Sequence, residues 1–492
     1  MQEVGTTIAS TALAVARSEG QIGFGVSPST RRRIVAATLA AGDLAAITIV
    51  VGILHLALPA DEAAAGVAPF AFWVSWITAL AAAHLLFGLY GTERTEPVDR
   101  LRRRCLASAA AAVVMIGLRG AGLETSSFGV AGILLGAALA VPLGYYIEAL
   151  ARGWLLRNAL WTAPTVLCGP LSSCAELARS LFAQPQLGLR PVAILIDARD
   201  SHRSEISQRV GLPVLTPEQA GSVAHRIEVV LCTSHDPRPE KPRWLANLPL
   251  RQIFVVQDTS QLQTLNLRTR PIGGLLGLEM RNPIHAPRNL RVKRIIDLMV
   301  ALPVALAALP VIAALAVAIR LTARGPAFYA QPRIGRNGRV FKVYKLRSMH
   351  LDADARLAAH LAADPAARRE WERFFKLKND PRILPVIGHL IRRTSLDELP
   401  QLWNVLRGEM SLVGPRPFPA YHAQCFDVAF QALRTSVPPG LTGLWQVTDR
   451  SDGDLAVQKR QDSFYIHNWS FWLDLYVLLQ TVVVVLTARG AR

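Results

Sequence analysis

Four long apolar runs fill the first third of the chain: Ile34 to Leu58, Phe70 to Tyr90, Cys105 to Leu118 and Phe128 to Leu150. A helix needs about 20 apolar residues to cross a bilayer, so the first, second and fourth are long enough and the third is short. Charge orders them. Arg31, Arg32 and Arg33 precede the first run, Arg100, Arg102, Arg103 and Arg104 precede the third, and Arg152 and Arg157 follow the fourth. The intervening loops hold Asp61 and Glu62, or Arg119 and Glu124. Because basic loops stay cytoplasmic, this pattern predicts four crossings over residues 31–152 with both ends in the cytoplasm. Asp43 and His55 lie within the first run and read as bundle-facing or interfacial, with a proton or ion path as the alternative. Residues 1–30 lack the charged start and apolar core of a signal and read as a disordered tail.

From Pro164 the rhythm shifts to short β-branched runs between polar, helix-like stretches. Thr165 to Cys168, Val192 to Asp197, Ile227 to Thr233 and Ile253 to Asp258 predict buried parallel strands in a Rossmann-like α/β module over residues 160–285. Gly169-Pro170-Leu171-Ser172-Ser173 follows the first of them but lacks the G-x-G-x-x-G spacing that lets backbone approach a pyrophosphate. A structural or dimerising module fits better than a nucleotide site, which leaves a second copy of the chain as a candidate partner.

Ile295 to Ile319 is again long and apolar enough to cross a bilayer. Both its flanks are basic, with Arg288, Arg291, Lys293 and Arg294 before it and Arg320, Arg324 and Arg333 after it, whereas a crossing helix is asymmetric. Pro303 and Pro310 interrupt it, each removing a helix hydrogen bond. A helix over 295–320 that enters from the cytoplasmic face, breaks at Pro310 and returns accounts for both features.

The last part, 288–492, carries the chemistry. Phe341-Lys342-Val343-Tyr344-Lys345-Leu346-Arg347 mixes apolar and basic side chains at strand period, which predicts a cationic strand face after the Gly335 to Arg339 turn. Then comes Arg392-Arg393-Thr394-Ser395-Leu396-Asp397-Glu398-Leu399-Pro400-Gln401, and soon after it Gly414-Pro415-Arg416-Pro417. Adjacent carboxylates among arginines suit phosphate chemistry: the arginines fork onto a diphosphate, one carboxylate attacks phosphorus and the other steadies a metal ion. Ser395-x-x-Glu398 also matches a capping box, and a helix start at Asp397 favours its ionised form.

Composition narrows the class. The chain has 492 residues, is 51% hydrophobic and carries a formal net charge of +18, with mean hydropathy +0.27. That is too apolar for an ordinary soluble protein and fits a partner such as a lipid bilayer or phosphorylated substrate. No nucleic-acid recognition motif accompanies the charge. Its five cysteines (Cys105, Cys168, Cys174, Cys232, Cys425) have neither the number nor the spacing of a disulfide framework or zinc site.

The order K-R-x-x-D from Lys293, a proline-broken apolar wedge, F-K-V-Y-K-L-R-S-M, K-N-D-P-R, R-R-T-S-L-D-E-L-P-Q, S-L-V-G-P-R-P and P-G-L-T-G-L-W-Q-V resembles the bacterial sugar transferase family. These are the monotopic polyprenyl-phosphate phosphoglycosyltransferases. The preceding helices and α/β module resemble its long, galactose-type form. The resemblance implies a membrane protein with a four-helix transmembrane bundle, a Rossmann-like module and an α/β catalytic domain on a re-entrant helix. It implies transfer of a hexose 1-phosphate, galactose first and glucose second, from a UDP-hexose to undecaprenyl phosphate at the cytoplasmic face of a bacterial inner membrane. UMP would leave, and exopolysaccharide, capsule or O-antigen synthesis would begin. It further implies Asp397 as nucleophile, Glu398 as catalytic partner and ligand of Mg²⁺, and Lys345, Arg347, Arg392, Arg393 and Arg416 as phosphate holders. Bent relatives commonly carry Ser-Pro at the break, where this chain has Leu309-Pro310. Two other classes remain open: a non-catalytic scaffold for polysaccharide assembly and a nucleotide-sugar oxidoreductase on the α/β module.

Overall fold

The computed structural model describes residues 26–57, 68–90, 97–121, 129–184, 187–195, 212–215, 227–233, 252–256, 267–272, 275–280, 283–374, 377, 379–448 and 455–487. Most of the expected tail at 1–30 lies outside them. Two compact units divide the chain, Met1–Thr259 and Ser260–Arg492.

In the first unit, α1 (Pro28–Ala57), α2 (Ala68–Leu86), α3 (Pro97–Gly120) and α4 (Gly129–Arg157) pack around a shared apolar core that includes Val50, Trp76, Leu80, Met115 and Ile133. The short third run is extended by the residues before it. Helix α3 starts at Pro97, so Arg100 to Arg104 are helical rather than a loop preceding Cys105, a correction with a physical cause. Arg100 and Arg104 are buried and neutralised. Arg104 donates to Asp43 Oδ1 at 2.5 Å and Glu148 Oε2 at 2.7 Å, and Arg100 donates to Glu148 Oε1 at 2.6 Å. His84 Nδ1 lies 2.9 Å from Asp43 Oδ2. One network thus ties side chains from all four helices. Gly144 makes room for it, because a Cβ there would collide with Arg104 Nη1. Asp43 is therefore a bundle-facing partner, while the side chain of His55 lies outside the described ones.

A parallel sheet follows, ordered β3 (Val214–Leu215), β2 (Leu189–Leu195), β1 (Ala163–Cys168), β4 (Val229–Thr233), β5 (Gln252–Val256). Helix α5 (Leu171–Ala183) lies against β1 and β2. Strands β1, β2, β4 and β5 overlap the four β-branched runs; the two-residue β3 has no such signal. Asp197 and Asp258 lie outside the described residues. Gly169 (φ +137°) takes the chain off β1 so close to Thr233 that no side chain fits.

The second unit opens with the antiparallel hairpin β6 (Leu267–Ile272) and β7 (Leu275–Met280), and then α6 (Pro287–Thr322), helical through both Pro303 and Pro310. Next come the hairpin β8 (Phe328–Ile334) and β9 (Val340–Leu346), and helices α7 (Ala353–Ala363), α8 (Pro365–Phe374), α9 (Ile387–Arg393) and α10 (Gln401–Arg407). Strand β10 (Ser411–Val413), helices α11 (Ala420–Ala423) and α12 (Val428–Thr435), strand β11 (Gly440–Thr442) and helices α13 (Leu444–Thr448), α14 (Leu455–Asn468) and α15 (Phe471–Leu486) complete it.

The K-R-x-x-D motif is a docking device. Lys293 donates to Asp474 at 2.6 Å, Arg294 donates to the carbonyls of Val405 and Leu406, and Asp297 accepts from Ser411 Oγ at 2.7 Å and Leu412 N–H at 3.1 Å. Farther along α6, Ile319 packs with Ala327, Leu346 and Ile391. Arg294 and Ile319 would stand about 37 Å apart on a straight helix, yet both ends of α6 dock on this one fold. Between them Leu302, Val304, Leu306 and Leu309 are exposed. Three described helices are long and apolar enough to cross a membrane, within Pro28–Leu54, Gly129–Arg157 and Pro287–Thr322. Helix α15 is shorter and docks on β11, where Thr442 and Thr481 hydroxyls meet at 2.8 Å.

Candidate active site

The β8–β9 hairpin sets one wall. Its turn closes through Gly335 N–H donating to the Arg339 carbonyl at 2.8 Å, with Asn337 and Gly338 at positive φ. Register pairs Tyr329 with Lys345, Gln331 with Val343 and Arg333 with Phe341, so Tyr329, Gln331, Arg333 and Lys345 share a face. Lys342 has the opposite parity and is exposed, which corrects the expectation of a single cationic face on this strand.

Lys345 Nζ donates to Glu398 Oε1 at 2.7 Å and stands 3.9 Å from Asp397 Oδ2. Both acids occupy the 3₁₀ turn Leu396–Glu398, entered through Ser395 in the left-handed region (φ 57°), a strained conformation for a non-glycine residue. No side-chain cap bond forms there, so the capping-box expectation fails: Glu398 is claimed by cations instead. Arg416, from the P-R-P turn after β10, donates to the same Glu398 Oε1 at 2.7 Å.

The two carboxyls are driven apart. Burial opposes the ionisation of both. For Glu398 the charges of Arg416 and Lys345 prevail and hold its carboxyl far below the usual range. For Asp397, 8% exposed, burial prevails together with the Glu398 charge and pushes it up, against Lys345, Arg392 and Arg416. Its position at a helix start therefore does not decide its ionisation. Burial does.

The turn that carries Arg416 is itself gripped. Arg434 donates to the Arg416 carbonyl and, at 2.7 Å, to buried Asp462, with its guanidinium 3.5 Å from the Phe418 ring centroid. Arg333 donates to the Pro417 carbonyl at 3.2 Å, and Ile334 N–H donates to the Phe418 carbonyl at 3.1 Å. A cleft lined in part by Pro415, Phe418, Phe426, Phe430 and Gln431 opens beside the turn.

The other expected phosphate holders divide. Arg392 is half-buried, and its charge reaches Asp397 and Asp380. Arg393 is exposed. Arg347 is buried with its guanidinium on the carbonyls of Ala323 and Arg324, at 2.9 and 2.8 Å, where it caps the end of α6. In K-N-D-P-R, Arg382 pairs with Asp380 at 2.6 Å and covers the Trp371 ring, while Lys376 and Lys378 lie outside the described residues. Among the described residues no group of three or more His, Cys, Asp or Glu side chains could hold a metal. A hard cation would have to share the Glu398 carboxylate, whose Oε1 already accepts from Lys345 and Arg416, with phosphate oxygens, and Mg²⁺ is ordinarily bound through one or two carboxylates plus substrate phosphates.

Residues 288–488 match the family model described as bacterial sugar transferase. The UDP-galactose-lipid carrier transferase of Erwinia amylovora is 36% identical, over 71% of this chain and 73% of the relative. The chain belongs to the bacterial sugar transferase family. Undecaprenyl-phosphate galactose phosphotransferase of Salmonella typhimurium is 34% identical over 70% of this chain and 73% of the relative. UDP-glucose:undecaprenyl-phosphate glucose-1-phosphate transferase of Escherichia coli is 28% identical over 68% and 70%. This sugar transferase is a membrane protein, mostly helical with a parallel sheet. Sequence reasoning missed Arg333, Arg434 and Asp462. The last two have no local signal, whereas Arg333 was within reach by counting in twos back across the turn from Lys345.

Proposed function

We propose that this sugar transferase moves a hexose 1-phosphate, galactose 1-phosphate first, from a UDP-hexose to undecaprenyl phosphate through a covalent phosphosugar intermediate, an acyl phosphate on Asp397. The observation that carries the proposal is the division of labour in the acid pair, where Glu398 is neutralised by Lys345 and Arg416 while its neighbour Asp397 accepts none of their short bonds. An Asp397 oxygen attacks the sugar-bearing phosphorus, the bond to the bridging oxygen breaks, and UMP leaves with that electron pair. An oxygen of the lipid phosphate then attacks the same phosphorus and frees Asp397. Lys345, Arg392 and Arg416 hold the phosphoryl oxygens as charge moves. Glu398 would hold Mg²⁺, which when bound supplies charge neutralisation for the diphosphate.

Membrane placement follows the same reading. Helices α1 to α4 cross as a four-helix bundle, the five-stranded sheet is a Rossmann-like module, and α6 is re-entrant, bending near Pro310 as a continuous helix rather than breaking there. Docking of both α6 ends on one catalytic fold supports the last point, since a crossing helix would carry its far end away from that fold. The active site then sits at the cytoplasmic face, where a water-soluble donor and a lipid phosphate meet. Galactose is preferred because the relatives named for galactose are 36% and 34% identical over 71% and 70% of this chain, whereas of those named for glucose one is 28% identical over 68% and another is 39% identical over only 40%. UMP release by detergent-solubilised protein, given undecaprenyl phosphate, Mg²⁺ and separate UDP-hexoses, tests the proposal. Release with UDP-galactose supports it; silence with every donor favours a scaffold.

A further inference from the structure

Arg333 is the cation in the site that the proposed chemistry leaves unused. It shares the hairpin face of Lys345, four register positions along, and is anchored by donating to Gln331 Oε1 at 2.6 Å and to the Pro417 carbonyl at 3.2 Å. Lys345 Nζ stands 3.9 Å from Asp397 Oδ2, whereas Arg333 lies four residues farther along the hairpin, toward its turn, and reaches the Pro417 carbonyl next to Arg416. The site therefore has two ends. Asp397 stands at one with Lys345 and Arg392; Arg333 stands at the other, with Arg416 between.

An in-line displacement uses both ends. The group that leaves departs on the side of phosphorus opposite the attacking oxygen, so with Asp397 attacking, the nucleotide phosphate lies at the far end. We infer that Arg333, with Arg416, forms the pincer for the nucleoside-side phosphate of the diphosphate donor and for the nucleoside monophosphate that leaves. Arg333 is held by the Pro417 carbonyl and Arg416 by Glu398 Oε1, so the two like charges are fixed on either side of one turn, and a dianionic phosphate relieves their repulsion while accepting from both forks. Burial first, and the Arg416 charge after it, lower Arg333 to about 10. Exposed Tyr329 and Tyr421 leave that end open to solvent, as entry of a water-soluble donor requires.

This inference rests on the phosphosugar reading and separates from it in one experiment. The donor half-reaction is followed as UMP release without acceptor, and the acceptor half-reaction as transfer from preformed phosphosugar enzyme to undecaprenyl phosphate. In Arg333→Ala the donor KM and the inhibition constant of UMP should rise roughly ten- to hundredfold, the loss of one charged hydrogen-bonded contact. The acceptor half-reaction, which involves no nucleotide, should keep its rate. Arg333→Lys, which retains the charge without the fork, should fall between, and it replaces the alanine variant if that one fails to fold. Unchanged UMP inhibition in both variants, or equal slowing of both half-reactions, would overturn the assignment, because a residue that merely props the P-R-P turn serves both steps. A wild-type protein that releases no UMP from any UDP-hexose would instead sink the phosphosugar reading itself.

Discussion

Arg416 donates to Glu398 Oε1 at 2.7 Å, and the neighbouring Asp397 is left to burial and to longer-range charges. Two adjacent acids thereby acquire different chemistry from their partners rather than from their sequence. The consequences are measurable.

The acid limb of the pH profile should report Asp397. Attack needs its ionised form, and its carboxyl is raised, so donor kcat/KM should fall as pH drops through a value above the ordinary aspartate pKa of about 4. Lys345 opposes that rise. Lys345→Met should therefore shift the limb to higher pH, whatever it does to the plateau. A shift to lower pH would contradict the electrostatic assignment.

Asp462→Asn should slow both half-reactions. It removes the charge that orients Arg434 and so loosens the hold on the Arg416 carbonyl. A displacement of Arg416 by about 1 Å is enough for roughly a hundredfold loss in kcat. Single-turnover rates of each step check this.

Lys293→Met should weaken the docking of α6. It leaves Asp474 buried with only Tyr465 OH and Trp469 Nε1 as the described donors, at 2.7 and 3.0 Å. Breaking a buried pair costs about 3–5 kcal/mol, which should appear as a lower thermal midpoint and earlier proteolysis.

Gly144→Ala should destabilise the helices of the first unit and leave the chemistry alone. The added methyl displaces Arg104 from Asp43 and Glu148. Thermal inactivation should come earlier while initial kcat stays within about twofold, the usual range for a change outside the site.

Legibility in the sequence followed how local each cause was. Apolar runs announced α1, α2, α4 and α6, and β-branched runs announced β1, β2, β4 and β5, because burial on one segment leaves its mark there. The start of α3 was misplaced since Arg100 and Arg104 resemble loop charges until Glu148 and Asp43, far along the chain, neutralise them. Asp397, Glu398, Lys345 and Arg416 were readable as a group, and the structure brings them together. The fate of Arg347 was not, because a guanidinium that caps a helix through backbone carbonyls looks in sequence like one that binds phosphate. The capping box failed for the converse reason: Ser395 and Glu398 have the right spacing, but Lys345 and Arg416 outcompete the local bond.

The most direct test of the account is the mass of the intact protein after incubation with UDP-galactose and Mg²⁺ in the absence of lipid. A gain of one hexose phosphate on the peptide containing Asp397, matched by UMP, discharged by undecaprenyl phosphate and absent in Asp397→Asn, is the predicted result. UMP that appears only when lipid is present, with no adduct, or an adduct that survives in Asp397→Asn, would contradict it.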